Sequence, residues 1–262
     1  MIHRPRKRFG QNFLQDSVYQ QRIANSIHLR EGAKCIEIGP GQGAITEHLL
    51  KRFGQLEVIE MDRDLVTLLE QKYPGGALHI HQGDVLRMDF QELAQGQRLS
   101  IIGNLPYNIS SPLLFKLIDA LSLVDEMVFM LQKEVVYRIT AGPGSKTYGR
   151  MSVTAGLWLH SEKLFDVPPG AFFPAPRVMS SVVRLVPRND VDAGLDRSLF
   201  DSIVKAAFAK RRKTIRNALS EWFDEAQLLE LGIDPQQRAE QLDIDAYLSL
   251  AGSAAASAGR GH

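Results

Sequence analysis

Ala33-Lys34-Cys35-Ile36-Glu37-Ile38-Gly39-Pro40-Gly41-Gln42-Gly43 is the stretch on which the architecture turns. Its apolar-rich start, closed by glycines, predicts a strand over 33–38. Ile45, Leu49 and Leu50 then fall on one stripe and predict a helix over 44–53. Outward from there the alternation repeats. Strands are predicted over 56–60, 77–81, 99–103 and 126–131, and helices over 64–72 and 112–121. Strand and helix alternating at this spacing build βαβ units around a mostly parallel sheet, so the fold class is α/β. The apolar strand centres suit a sheet covered on both faces. Helical patterns follow over 135–141 and 151–160, with late strands over 163–167 and 181–186 read as an antiparallel pair. Between them Pro168, Pro169, Pro174 and Pro176 make a stiff loop that cannot be a central strand. Beyond Pro187 only helical patterns remain, over 199–208, 213–223, 225–231, 236–242 and 244–250. The expectation is an α/β domain over 1–188, a small all-helical domain over 189–250, and a disordered tail of small residues over 251–262.

The 262 residues suit one large domain with a small one. A chain of this length buries about 70% of its unfolded surface and needs no disulfide or metal to hold it. Lys and Arg number 31 against 30 Asp and Glu, a net charge of +1, which excludes a strongly basic polymer-coating protein but not a local basic face. One cysteine, Cys35, forbids an internal disulfide and fits a reducing cytosol. No apolar run reaches the roughly 18 residues of a membrane span. The basic start from Met1 to Arg8 lacks the apolar core of a signal peptide. The expectation is a cytoplasmic protein with no membrane partner, and, with no heptad seam, a monomer.

Glycines at 39, 41 and 43 lie between a strand and a helix, where backbone can approach a ligand closely. The dinucleotide fingerprint would place its third glycine at 44, which is alanine, and no second βαβαβ half follows. Glu60 ends the second strand, 21 residues beyond Gly39, where a carboxylate can accept both hydroxyls of a ribose. Asp84 follows the third strand and can accept from an adenine amino group. All three strand ends share the edge at which parallel sheets bind ligands. This loop with its acid resembles the class I S-adenosylmethionine-dependent methyltransferases, Rossmann-like proteins with a mostly parallel seven-stranded sheet. Their ligand has a ribose and an adenine but no phosphates, in keeping with the lack of a Walker lysine.

The fourth strand runs into Asn104-Leu105-Pro106-Tyr107-Asn108. Asn104 brings an amide acceptor to the edge. Pro106 biases Leu105 to extended backbone, which turns the Leu105 carbonyl outward. Tyr107 offers a flat face. Two acceptors and a ring suit a planar aromatic amine. The run resembles the Asn-Leu-Pro-Tyr form of the amino-methyltransferase motif, which implies transfer to the exocyclic nitrogen of adenine. Phe173, held by Pro174 and Pro176, is a second stacking candidate; of Phe172 and Phe173, one is expected in the core. Lys205, Lys210, Arg211, Arg212, Lys213 and Arg216 cluster within a dozen residues, and Arg4, Arg6, Lys7 and Arg8 form a second basic segment. Both suit RNA phosphates, which position rather than read sequence.

These pieces together resemble the bacterial small-subunit branch of the ribosomal RNA adenine dimethyltransferase family. The resemblance rests on 8–14, 37–43, 103–110, 173–178 and 207–214 and covers nearly all of 3–250. It implies that Asn12 and Leu14 touch S-adenosylmethionine beside Gly39, Gly41, Glu60, Asp84 and Asn104. It further implies four methyl transfers to N6 of two adjacent adenosines in the 3′-terminal hairpin loop of 16S rRNA, inside an assembling 30S subunit. Kasugamycin resistance on loss of the enzyme follows in that family. Gln42 in the glycine loop and Met151 at a helix start are departures from its pattern.

The resemblance also implies a mobile loop near the active site over 142–149; Tyr148 within it is not nominated as a substrate contact. His79 and His81 share one side of a strand without a third ligand, so no metal site is expected. Cys35, Trp158 and Trp222 read as packing residues. Two competing functions are a 23S rRNA dimethyltransferase of the macrolide-resistance type, and a non-catalytic ribosome-assembly or transcription factor on the same core. Intact Gly39, Glu60, Asp84 and Asn104 to Tyr107 speak against the second.

Overall fold

The computed structural model describes residues 12–192, 194–210 and 212–258. In chain order these form β1 (Phe13–Leu14), α1 (Ser17–Ser26), β2 (Lys34–Ile38), α2 (Thr46–Phe53), β3 (Leu56–Glu60), α3 (Arg63–Lys72) and β4 (Leu78–Gln82). Next come α4 (Phe90–Ala94), β5 (Leu99–Asn104), α5 (Ser110–Asp119), β6 (Val124–Gln132), α6 (Lys133–Ile139), α7 (Arg150–Trp158) and β7 (Leu159–Val167). The chain continues as β8 (Phe172–Phe173), β9 (Ser180–Pro187), α8 (Arg197–Ala209), α9 (Ile215–Ala218), α10 (Glu225–Glu230) and α11 (Ile244–Ala258).

Among the described residues a seven-stranded sheet runs in the order β4-β3-β2-β5-β6-β9-β7. The pairs from β4 across to β6 are parallel, and β6 meets β9 antiparallel, with Gln132 opposite Ser180. The order reverses at β2, so the ends of β2 and β5 flank a crevice, as open parallel sheets require. Ile36, Val58, Ile101 and Val128 are fully buried, as expected of central strands covered on both faces. Cys35 is buried too, and burial pushes its thiol far above the usual range, so it acts as a small apolar residue.

Local capping fixes where helices begin. The Asp16 carboxylate accepts from the Val18 amide at 2.9 Å, Asp62 from Asp64 at 3.1 Å and Asp196 from Leu199 at 3.0 Å. The Asp62 cap comes two residues after Glu60, so one short run both ends β3 and starts α3.

Two compact units emerge: residues to Val136 with Glu162–Pro187, and Tyr137–Ser161 with Arg188 onward. One break falls between Pro187 and Arg188, next to the boundary expected from sequence; the difference is that 137–161 groups with the helical unit. Tyr148, Val153 and Leu157 belong to the apolar core that also holds Phe200, Ile203 and Tyr247. Their helix is legible in sequence, but β7 to β9 separate it from the other helices of its core. The tail differs as well. α11 runs on to Ala258, with Leu250 and Ala251 buried. Alanine is the strongest helix former, and this packed start lets the alanine-rich segment continue as helix. Tyr148 is buried with its ring 6.4 Å from Phe208, and the Gly144 amide donates to the Glu240 carbonyl at 2.7 Å. Of the stretch expected as a mobile loop, Tyr148 is thus anchored in the helical core while 142–147 are exposed.

The short pair β1 and β8 was not anticipated. Phe13 lies opposite Phe173 and Leu14 opposite Phe172. Two-residue strands carry no periodicity to read.

Candidate active site

The crevice at the carboxyl ends of β2, β3 and β5 is a cavity of about 370 Å³, in the range of a small-molecule site. Asn12, Leu14, Gly39, Gly41, Glu60, Asp84, Asn104, Leu105, Pro106 and Tyr107 all line it. The fold thus brings together every residue expected to touch the cofactor, from positions up to 92 apart (12 to 104).

Backbone geometry explains the glycines. Gly41 has φ +59°, and a Cβ there would press on the Phe13 ring at 3.2 Å. Gly103 leaves less room still: a Cβ would lie 2.6 Å from the Ile38 carbonyl oxygen, so β2 and β5 could not keep their spacing. On the far side of the loop the Tyr73 hydroxyl donates to the Gly43 carbonyl at 3.1 Å.

Glu60 is 7% exposed. Its Oε1 accepts from the Met61 and Asp62 amides, both at 2.9 Å, and its Oε2 from the Gly41 amide at 3.2 Å. Burial raises its pKa, and these three bonds and the nearby Asp62 charge act on it with opposite signs. Backbone thus aims the carboxylate, and among the described residues no cation pairs with it. Asp84 accepts from the Leu86 amide at 3.0 Å, which sets its side chain at the rim, with Arg87 Nε 3.7 Å from its other oxygen. Glu37, also lining the cavity, is fully enclosed. It accepts from the Thr46 hydroxyl at 2.6 Å, and burial pushes its pKa up to about 8. Among the described residues Glu37, Glu60 and Asp84 line this space and no Lys or Arg does. Such a wall suits a ligand bearing positive charge and disfavours phosphates.

The Asn104 amide has a definite sense. Its Nδ2 donates to the Asn12 carbonyl at 3.2 Å. A carbonyl can only accept, so the side-chain oxygen must lie on the other side of the amide. The Leu105 amide donates to the Met130 carbonyl at 3.2 Å, while the Leu105 carbonyl accepts no hydrogen bond among the described residues. The motif is therefore pinned to β6 through its N–H and keeps an acceptor to spare. Tyr107 lines the cavity, and its hydroxyl lies 3.1 Å from Ser180 Oγ.

Phe172 is buried at 6% and lines the cavity, whereas Phe173 is 59% exposed and does not. The alternation of β8 decides which of the two is core. Met61, exposed beside Glu60, and Phe13 also line the cavity. Neither was nominated from sequence; an apolar residue directly after the ribose-type acid was the signal available for Met61. Glu37 and Ser180 were likewise missed.

In the helical unit Lys205, Lys210, Arg212 and Lys213 are exposed, while Arg216 pairs with Glu225 at 2.8 Å. Arg6, Lys7, Arg8 and Arg211 lie outside the described residues. Trp222, expected in the packing, is partly exposed instead. Among the described residues no helix is long and apolar enough to cross a membrane.

Comparison with known proteins is consistent along the whole chain. The model of the ribosomal RNA adenine dimethylase family matches residues 2–256. Ribosomal RNA small subunit methyltransferase A of Aromatoleum aromaticum is 49% identical over 259 residues, 98% of this chain and 97% of that protein. A dimethyladenosine transferase from Plasmodium falciparum aligns with TM-score 0.80 at 25% identity, covering 90% of this chain and 95% of that one. The 23S rRNA methyltransferase ErmE shares the fold, with TM-score 0.75 at 24% identity over 92% of this chain and 98% of its own. Matched by the family model over 2–256 and by a relative 49% identical over 98% of its length, the chain belongs to the ribosomal RNA adenine dimethylase family.

Proposed function

We propose that this enzyme transfers methyl groups from S-adenosylmethionine to N6 of two adjacent adenosines in the 3′-terminal hairpin loop of 16S rRNA, four in all, within an assembling 30S subunit. The observation that carries the reading is the Asn104 amide, oriented by the Asn12 carbonyl beside a carboxylate-lined cavity. S-adenosylmethionine supplies an electrophilic methyl group on a cationic sulfur, and the cavity has the charge to receive it. Glu60 would accept the ribose hydroxyls, Asp84 the adenine amino group, and Gly39, Gly41, Asn12 and Leu14 would close around the rest.

The adenine amine is a weak nucleophile because its lone pair is spread into the ring. Asn104 Oδ1 and the Leu105 carbonyl would take its two N–H groups and favour the pyramidal, charge-developing nitrogen of the transition state. Pro106 holds the turn, and Tyr107 and Phe173 would stack on the extruded base. Once the new N–C bond forms, the ammonium is acidic and its proton passes to water, so no strong base is required. Lys210, Arg211, Arg212, Lys213 and Arg216, with Arg6, Lys7 and Arg8, would meet RNA phosphates. Such a substrate places a single acting chain in the bacterial cytoplasm.

The test is transfer of labelled methyl to unmethylated 30S particles, with 50S particles and free 23S rRNA alongside and products mapped by nuclease digestion and mass. Dimethyladenosine at adjacent positions of the 30S 3′ hairpin is expected. Label in 23S rRNA would overturn the target. Cofactor binding without transfer to any of them would leave an assembly factor.

A further inference from the structure

A ring that stacks on a base must hold one plane, yet Tyr107 has two rotatable bonds of its own. Its hydroxyl is anchored at 3.1 Å to Ser180 Oγ. Ser180 is 1% exposed, at the start of a strand whose Val182, Val183 and Leu185 are fully buried. A buried hydroxyl there costs desolvation unless it is bonded, and Tyr107 is the partner it has.

The anchor is itself held from both sides. The Met179 carbonyl accepts from the Lys133 amide at 2.9 Å, and Ser180 pairs with Gln132 in the β6–β9 ladder. One residue on, the Ser181 hydroxyl donates to Asp166 at 2.7 Å. Asp166 binds Lys133 Nζ at 2.8 Å and Lys163 Nζ at 3.2 Å, and these bonds hold its carboxyl at about 2, ionised throughout the working range.

We infer that Ser180 is a positioning residue that fixes the Tyr107 ring plane, and that the second methyl transfer to each adenosine depends on it more than the first. This rests on the function proposed above. An unmethylated amine offers two N–H groups to Asn104 Oδ1 and the Leu105 carbonyl. After one transfer, which forms an N–C bond, breaks the S–C bond and releases a proton to water, a single N–H remains. Orientation in the second step then falls more heavily on the ring.

The experiment compares Ser180→Ala, Tyr107→Phe and the double variant in single-turnover reactions on unmethylated 30S particles, with mono- and dimethyladenosine separated by mass. Losing one neutral hydrogen bond should slow the first transfer about threefold and the second about tenfold, so that monomethyladenosine accumulates. S-adenosylmethionine affinity should not change. Tyr107→Phe should match Ser180→Ala, and the double variant should be no worse than either, because both remove the same bond. A wild-type product ratio in Ser180→Ala, or additive losses in the double variant, would overturn the inference while leaving the reaction intact. A wild-type enzyme that transfers nothing to 30S particles would overturn both.

Discussion

At the carboxyl edge of the sheet, Glu60 is held by three backbone N–H groups and faces a cavity lined, among the described residues, by no Lys or Arg. At the amino edge, Asp125 and Glu126 are as deeply buried and are closed by protein. Arg98 Nε donates to Asp125 at 3.0 Å, and Arg30 lies 3.6 Å from the same oxygen. Arg184 sits 3.5 Å from Glu126, and the His28 amide donates to it as well. Charged side chains end strands at both edges. They differ in what satisfies them. A buried carboxylate closed by arginine is finished as structure; one held only by backbone dipoles retains affinity for a ligand.

That contrast is breakable at its strongest point, Asn104. Asn104→Ala removes the oriented acceptor and should lower kcat by about 10²- to 10³-fold, or ~3–4 kcal/mol, as loss of one transition-state hydrogen bond does elsewhere. The bond to the Asn12 carbonyl goes too, so stability should fall by only about 1 kcal/mol. Single-turnover methyl transfer and thermal unfolding measure the two. A large drop in melting temperature with kcat retained would make Asn104 a structural residue like those at the other edge.

Arg98→Met is the mirror experiment. It strips Asp125 of its nearest cation and leaves the Ser122 and Val124 carbonyls without their guanidinium donor. Because Arg98 is half exposed while Asp125 is not, the cost should be about 2–3 kcal/mol, below that of a fully buried pair. Urea unfolding should show it, with methyl transfer unchanged below the transition. Loss of transfer in a stably folded variant would mean that the two edges are coupled.

Much of this division was legible in sequence because it follows from chain direction. The glycine loop after β2, the acid ending β3 and the motif ending β5 must emerge on one side when the strands are parallel. What stayed hidden depends on pairing between distant segments. Nothing near Asn104 says that Asn12 will orient it, and nothing near Tyr107 points to Ser180, 73 residues away. α7 was legible as a helix but not as a member of the helical core, since periodicity reports a buried face without naming what covers it. The tail over 251–258 was misjudged for a related reason: its composition lacks bulk, but its helix grows from a start that Leu250 and Tyr247 have already packed.

The smallest effect is electrostatic and sharpens the contrast most finely. Glu37 is enclosed beside Thr46, with Glu60 raising its pKa, Lys72 lowering it, and burial dominating, so that it titrates at about 8. Its folded pKa lies above the usual 4.5, so the folded protein keeps a proton that the unfolded chain releases. This contribution to stability is complete below about 4.5 and is lost as pH rises through 8, and Glu37→Gln should flatten the stability profile across that window. A positive charge entering the cavity favours the carboxylate and reverses the shift. S-adenosylmethionine binding near pH 7 should therefore release a fraction of a proton, visible as a calorimetric heat that changes with the ionisation enthalpy of the buffer. S-adenosylhomocysteine, which lacks the sulfonium charge, should release less, and Glu37→Gln should shrink the difference. Equal release by the two ligands would mean that Glu37 does not sense the cavity, and that its carboxylate is structural in the same sense as Asp125.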